Sequence, residues 1–436
     1  MAAAKKIYVY ENWMGTEPSL MGCLYAESLR GKEITSFEYS PSWLSNHPGL
    51  LALDPDLQLF SGRQFTPLDK PMFGILSDSC PDRWGRLLMD RREEILAKQE
   101  NRKPRNLLET DYLLGVHDEA RMGALRFSLQ EGGPFLSCDS DMAAPPWTTL
   151  RNLEAASLAF EKDPDTHSNR WLQMLLAPGS SLGGARPKAS VKAPDNSLWI
   201  AKFPSKHDQY DSGAWEQVTH ELAKMCRLNV PESRLERFSD AGSTFLVKRF
   251  DRQAGRRVHF SSALALLGKK DGDSSNSSYL ELVQFLTSYG ASARSDLKEL
   301  WRRIVFSMAV SNTDDHLRNH GFLLSPNGWR LSPMFDVNPN PKGNFLSLCV
   351  TLNESRIDPD LAIEAASFFG LKKDEAAEEA KHILSVVGRG WRPIAESCGI
   401  SGDSQEAVAP AFSICSEFSR HSISSQATLS VNYSGS

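Results

Sequence analysis

The sequence predicts an α+β chain of two lobes, with strand-rich segments first and a larger helical part after them. Three observations predict it. A chain of 436 residues exceeds what one ordinary core holds, so two or three packed units are expected. Short strand-like runs recur up to Arg249, and from Tyr279 onward amphipathic helical patterns take over. Within the first stretch, a glycine and serine loop precedes two apolar runs joined by a tight turn, the signature of a hairpin.

Taken in order, Ile7-Tyr-Val-Tyr10 alternates as a strand does. From Asp82 to Lys98, Trp84, Leu87, Leu88 and Ile95 sit among arginines and glutamates as an amphipathic helix. Gly123-Ala-Leu-Arg-Phe127 reads as a strand closing this first unit. The stretch Gly132 to Pro146 is rich in Gly, Pro, Ser and Asp and marks a boundary. Trp147 to Glu161 is helical in pattern, and Pro178 to Gly184 is the glycine and serine loop. Lys188 to Lys192 and Leu198 to Phe203 flank the turn Pro194-Asp-Asn196 as hairpin strands. A helix from Ala214 to Leu228 and a strand from Thr244 to Arg249 follow. Gly268 to Ser278 is a polar loop or insert, then Tyr279–Leu286, Leu297–Ser311 and Asp358–Ala395 are helical, and the polar end from Ser422 is a tail. The expected organisation is therefore residues 1–131 as an α/β N-terminal subdomain, 132–147 as a linker, 148–251 as a strand-rich lobe, 252–421 as a helical lobe and 422–436 as the tail.

Composition excludes several classes. Hydrophobic residues at 41% and charged residues at 24% are ordinary for a globular protein. A net charge of -5 gives no global attraction to nucleic acid or anionic membrane. No apolar run reaches the roughly 20 residues a membrane span needs, so no membrane contact is expected. Seven cysteines stand singly with no CxxC pair, which argues against zinc or disulfides and for reduced thiols in a cytoplasmic protein.

The chemistry concentrates in Ser311-Asn-Thr-Asp-Asp-His-Leu-Arg-Asn319, after a helix carrying Leu300, Ile304, Val305 and Met308. Asp314 and Asn319 are five residues apart, the separation of the two in a kinase catalytic loop. The carboxylate orients and deprotonates an attacking hydroxyl, and the amide oxygen holds Mg²⁺ without adding negative charge. Downstream, Leu331-Ser-Pro-Met-Phe-Asp336 delivers a second oxygen ligand at the end of an apolar run. Each piece alone occurs by chance in many chains. Their order carries the reading: glycine loop, hairpin lysine, helix glutamate, Asp/Asn loop, strand-end Asp.

These motifs resemble the HipA family of kinases. Ser181-Leu-Gly-Gly-Ala-Arg-Pro-Lys188 is similar to the family's serine and glycine loop, Asn312–Asn319 to its catalytic loop, and Pro333-Met-Phe-Asp336 to its metal-binding segment. Val247–Arg252 resembles the hinge between lobes, and Pro81–Gly85 with Gly123–Phe127 the N-terminal domain. The resemblance runs from about residue 7 to 400 and implies a protein-kinase-like bilobal fold using ATP and Mg²⁺. It makes Asp314 the catalytic base and Asn319 and Asp336 the metal ligands. Lys202 is then the contact to the α- and β-phosphates, with Ser181, Gly183, Gly184 and Lys188 around the nucleotide and backbone groups of Lys248 to Phe250 at the adenine. Glu216 is either the partner of Lys202 or a solvated helix charge. Arg318 touches either the γ-phosphate or the substrate's surface. Asp315 is read as a flank or secondary ligand, and His316 as a packing residue that fixes the loop. The basic run Arg83, Arg86, Arg91 and Arg92 is a solvated helix face, with contact to a partner or DNA as the second reading.

The resemblance further implies a toxin whose substrate is a protein, with aminoacyl-tRNA synthetases and translation factors among the family's directions. It also implies a HipB-like helix-turn-helix antitoxin as partner, with DNA reached through it. Two rivals stand beside this: a small-molecule or lipid kinase, and a non-catalytic co-repressor in a DNA-bound complex. In the family the serine equivalent to Ser181 is modified by the kinase itself, with Ser180 as the adjacent alternative here. A phosphate adds roughly -1.5 to -2 charges beside the nucleotide's own phosphates, so expulsion of the loop follows. Arg186 and Pro187 depart from the Gln and Glu of some members. Ser181→Ala is expected to abolish self-phosphorylation while leaving nucleotide binding intact; mass spectrometry that finds the phosphate elsewhere contradicts it.

Overall fold

A computed structural model describes residues 4–29, 32–46, 51–136, 144–162, 175, 184–273 and 277–418. Ser180, Ser181, Gly183 and the tail from 422 therefore lie outside the described residues. The chain forms two compact units. The first comprises Met1–Asp208, Glu236–Asp271 and Gly321–Pro326; the second comprises Gln209–Leu235, Gly272–His320 and Asn327–Ser436.

The first unit is built on two larger sheets, beside a two-stranded ribbon of Arg252–Gln253 with Arg256–Arg257 and the pairing of Phe260–Ser262 with Gly321–Ser325. Lys5–Glu11 pairs with Ser19–Leu29 on one side and Leu125–Ser128 on the other, with Val9 opposite Phe127. Lys32–Tyr39 and the short Gln64–Phe65 extend the sheet outward. Ile7, Val9, Leu24, Phe37 and Phe127 fill its core face. The expected hairpin is present as Lys188–Lys192 and Leu198–Lys202, in register from Lys188 opposite Lys202 to Lys192 opposite Leu198. Its turn is closed by Asn196 at φ 65°, a left-handed conformation that Asn tolerates. Gly242–Lys248 pairs with the second hairpin strand, and Ser233–Ser239 forms the edge.

The helix read from Asp82 spans Arg83–Gln99, because Asp82 is its cap: the carboxylate accepts the Gly85 N–H at 2.8 Å. Its Trp84 and Leu88 pack with Leu150, Leu153, Phe160, Trp199, Phe203 and Leu246 in one core. That core joins this helix, the Leu150–Lys162 helix and the second sheet. Arg86 does not extend a free basic face; it forks onto Glu109 at 2.7 Å through both terminal nitrogens.

The two sheets are tied by buried charge. Arg249 donates to Asp251 at 2.9 and 2.7 Å and to the carbonyls of Ala120 and Arg121. Arg252 donates to Asp251 Oδ2 at 2.6 Å and to the Arg121 carbonyl at 2.8 Å. The Asp251 carboxylate also accepts the N–H of Gly123, whose φ of 73° suits glycine. Burial alone would raise the Asp251 pKa, but Arg249 and Arg252 hold it well below the usual carboxylate range.

The second unit is mainly helical. Ala293–Ala309 buries Leu300, Trp301, Ile304, Val305 and Met308, and the Trp301 indole donates to the Ala362 carbonyl at 2.7 Å. Ser212–Met225, Tyr279–Tyr289, Lys373–Ser397 and Gly402–Val408 complete the main helices. Trp391 stacks on Phe412 with centroids 4.5 Å apart, and Trp215 lies 6.0 Å from the same ring. The continuous helical pattern from Asp358 to Ala395 resolves into Pro359–Ala365, a 3-10 turn at Ala366–Phe369, and Lys373–Ser397. Gly370 ends the first part with φ 76°. Among the described residues, no helix is long and apolar enough to cross a membrane.

Asp251→Ala leaves two arginines buried without their counter-ion. It is expected to cost about 3–5 kcal/mol in urea denaturation; a loss under about 1 kcal/mol contradicts this role.

Candidate functional site

Of the residues singled out in the sequence, Asp314, Arg318, Asn319 and Asp336 lie in the second unit. Lys202, Lys188, Gly184, Lys248 and Phe250 lie in the first, and Glu216 lies in the second.

The catalytic-loop segment begins where the Ala293–Ala309 helix stops. Val310 caps that helix, Ser311 takes a left-handed φ of 49°, and the Asn312 N–H returns to the Ser307 carbonyl at 2.8 Å. The next residues part sharply. Asp315 turns inward and is buried; it accepts from Tyr279 Oη at 2.5 Å and Ser307 Oγ at 3.2 Å, and His320 Nε2 lies 2.9 Å from its other oxygen. Burial alone would raise the Asp315 pKa, yet the pull of His320 and the Tyr279 and Ser307 hydroxyls hold it below the ordinary value. Asp314 turns outward, its side chain 87% exposed, with the His316 ring edge 3.9 Å away.

Asn319 closes a short 3-10 turn, Leu317–Asn319. Its amide Nδ2 donates to the Asp314 backbone carbonyl at 2.7 Å. A carbonyl only accepts, so this bond fixes which end of the amide faces the loop. The opposite end, Oδ1, is buried and has no hydrogen-bond partner among the described residues. A buried acceptor without a donor is costly unless a cation or ligand meets it. Amide and carboxylate oxygens are what a hard divalent cation takes, so the donor set fits Mg²⁺.

Asp336 sits on a strained backbone, φ 59°, between two anchors. Before it, the Met334 N–H donates to the Asn229 carbonyl at 2.8 Å; after it, the Val337 carbonyl accepts from Thr219 Oγ1 at 2.6 Å. The chain then runs beside the catalytic loop. The Asn338 N–H reaches Asn312 Oδ1 at 3.4 Å, the Asn340 N–H reaches the Ser311 carbonyl at 3.1 Å, and Asn340 Nδ2 reaches Thr313 Oγ1 at 2.6 Å. Ser347 Oγ adds a bond to the Thr313 carbonyl at 2.7 Å. The two oxygen-bearing motifs are thus laced together by their flanking residues. Left-handed non-glycine residues cluster at functional sites because the surroundings hold them there.

In the first unit, Lys202 is buried at the end of its strand with its ammonium 5.9 Å from the Phe245 ring centroid. Lys188 directs its ammonium at Asp82 and the Gly184 carbonyl. The Lys248 ammonium lies 5.9 Å from the Trp199 ring centroid, and the Phe250 ring 5.9 Å from Phe260. Of the backbone groups from Lys248 to Phe250, the Arg249 N–H is taken by the Leu198 carbonyl at 2.9 Å.

Sequence reasoning missed Tyr279, Ser307 and His320 as the holders of Asp315, and Asn340 as the partner of Thr313. Nothing local marks Tyr279. The Asn-Pro-Asn-Pro run at Asn338–Pro341 did carry a turn signal.

Residues 180–391 match the family model for the HipA-like C-terminal domain. A Haemophilus influenzae protein named as a candidate kinase is 26% identical over 188 residues, which cover 38% of this chain and 54% of that protein. The chain thus spans about half the length of the curated relative it matches. A chain from the solved complex of the Shewanella oneidensis MR-1 toxin–antitoxin system, HipA with HipB and operator DNA, superposes with a TM-score of 0.65 at 16% identity. That likeness covers 94% of this chain and 97% of the other, and it shows the α+β fold to be shared.

Tyr279→Phe removes a hydroxyl from a buried carboxylate and is expected to cost about 1.5–3 kcal/mol at pH 7. The Asp315 pKa is depressed on folding, so this contribution is present above the unfolded value near 4 and fades as pH falls below it. Urea denaturation at pH 7 and at lower pH checks both; a loss that grows on acidification contradicts the assignment.

Proposed function

We propose, from the premise that this chain is a HipA-family protein through its HipA-like C-terminal domain at residues 180–391, that it is an ATP-dependent serine/threonine protein kinase of the toxin type. The observation that carries this reading is the fixed Asn319 amide. Its nitrogen is bound to the Asp314 carbonyl, its oxygen is buried without a donor among the described residues, and Asp314, five residues earlier, presents an exposed carboxylate.

In the proposed reaction, the exposed Asp314 carboxylate accepts the proton of a serine or threonine hydroxyl. The hydroxyl oxygen forms the new bond to the γ-phosphorus of ATP as the bond to the β–γ bridging oxygen breaks, and ADP leaves. Positioning and charge neutralisation contribute nearly all of the rate in such a transfer. Asn319 and Asp336 would hold Mg²⁺, which when bound offsets negative charge on the phosphate oxygens. Lys202 takes the α- and β-phosphates, and His316 keeps Asp314 in place from its flank. Ser181 is the proposed site of inhibitory self-phosphorylation.

A HipB-like antitoxin is the proposed partner, with DNA reached through it; the support is the fold shared with a HipA solved together with HipB and operator DNA. The phosphoacceptor is proposed to be a protein, a synthetase or other translation factor by class.

Asp314→Asn is expected to lower phosphoryl transfer to protein by about 100-fold or more while MgATP affinity stays within about threefold. Radiolabelled ATP with a cell lysate reads the first and calorimetry the second. Transfer at the wild-type rate removes the base assignment, and label in small molecules or lipids rather than protein bands removes the protein-kinase assignment.

A further inference from the structure

The residues leaving the serine and glycine loop are fixed by two carboxylates. Lys188 Nζ donates to Asp82 Oδ2 at 2.9 Å and to the Gly184 carbonyl at 3.0 Å. Both charged side chains are nearly sealed from solvent, 3% exposed for Lys188 and 6% for Asp82. Two residues earlier, Arg186 forks onto Asp208 at 2.7 and 2.8 Å, and Asp208 also accepts the Ser205 N–H at 2.9 Å. The Pro187 carbonyl between them accepts the Phe203 N–H. Arg186 and Pro187 are therefore part of a built exit.

Asp82 serves two elements at once. Its Oδ1 caps the Arg83–Gln99 helix, and its Oδ2 holds a lysine 106 residues further along the chain. A buried ion pair is a poor way to gain stability, because desolvation offsets much of the attraction. What the pair supplies is geometry: the ammonium is placed, and with it the Gly184 carbonyl. Among the described residues, a Cβ built on Gly184 meets nothing within 4 Å. Glycine at a position with open surroundings suits backbone that a ligand must approach closely.

We infer that Asp82 is a positioning residue for nucleotide binding: by holding Lys188, whose ammonium also ties down the Gly184 carbonyl, it sets the backbone at residues 184–188 beside the phosphates of ATP. This rests on the kinase reading above. The helix cap and the loop are then one device, and the N-terminal segment tunes affinity for the triphosphate without touching it.

Asp82→Asn separates the two roles. Asparagine caps a helix as well as aspartate does, so the helix is retained while the charge facing Lys188 is removed. Lys188→Arg is the second variant, since it keeps a cation for Asp82 but moves its donors. MgATP binding to the full chain is measured by calorimetry below each protein's melting transition, with the melting temperature recorded alongside. Both variants are expected to bind MgATP at least threefold more weakly than wild type; Asp82→Asn is expected to melt below wild type, since Lys188 stays buried without its counter-ion, and its KM for ATP is expected to rise at little change in kcat. Wild type that binds MgATP while either variant binds within threefold of it overturns this inference alone. Wild type that binds no MgATP overturns the kinase reading and this inference with it.

Discussion

Two adjacent aspartates, Asp314 and Asp315, face opposite environments, and the second unit is organised around keeping them apart. A buried carboxylate is tolerated only when oxygen and nitrogen donors satisfy it. Asp315 meets that condition through Tyr279, Ser307 and His320, drawn from two helices and the end of the loop itself. With Asp315 fixed inward, its neighbour has nowhere to go but solvent. The exposure of Asp314 is thus a consequence of the anchor behind it. The same anchor sets the turn that brings the Asn319 amide against the Asp314 carbonyl.

The first unit solves a related problem with the signs reversed. Arg249, Arg252, Arg257 and Arg121 are all largely buried, and each finds carbonyls or a carboxylate. Asp118 and Asp251 gather them: Asp118 takes Arg126 and Arg257, Asp251 takes Arg249 and Arg252. The bonds from Arg249 to the Ala120 carbonyl, from Arg252 to the Arg121 carbonyl and from Arg257 to Asp118 join residues 129, 131 and 139 apart in sequence. They make the N-terminal sheet and the Val247–Arg252 segment a single block. Asp82 and Lys188 repeat the pattern at the loop, again with a carboxylate from the N-terminal segment.

Much of this was legible in the sequence where the signal is local. The hairpin at Lys188–Lys202, the helix starting after Asp82 and the α+β order follow from periodicity and turn chemistry within a few residues. The Asp314–Asn319 spacing is likewise local, and the amide-to-carbonyl bond across it is a property of six consecutive residues. What was not legible depends on distant partners. Tyr279 lies 36 residues from Asp315, and Asp82 lies 106 from Lys188; no pattern in one segment announces the other. The break at Gly370 was hidden for another reason: apolar periodicity continues on both sides, so only the left-handed φ reveals the stop.

The account stands or falls on what meets the Asn319 oxygen. Crystals grown with Mn²⁺ and a non-hydrolysable ATP analogue give an anomalous signal that locates the metal directly. A peak is expected within bonding distance of both Asn319 Oδ1 and the Asp336 carboxylate. Nucleotide bound with its metal away from both residues contradicts it.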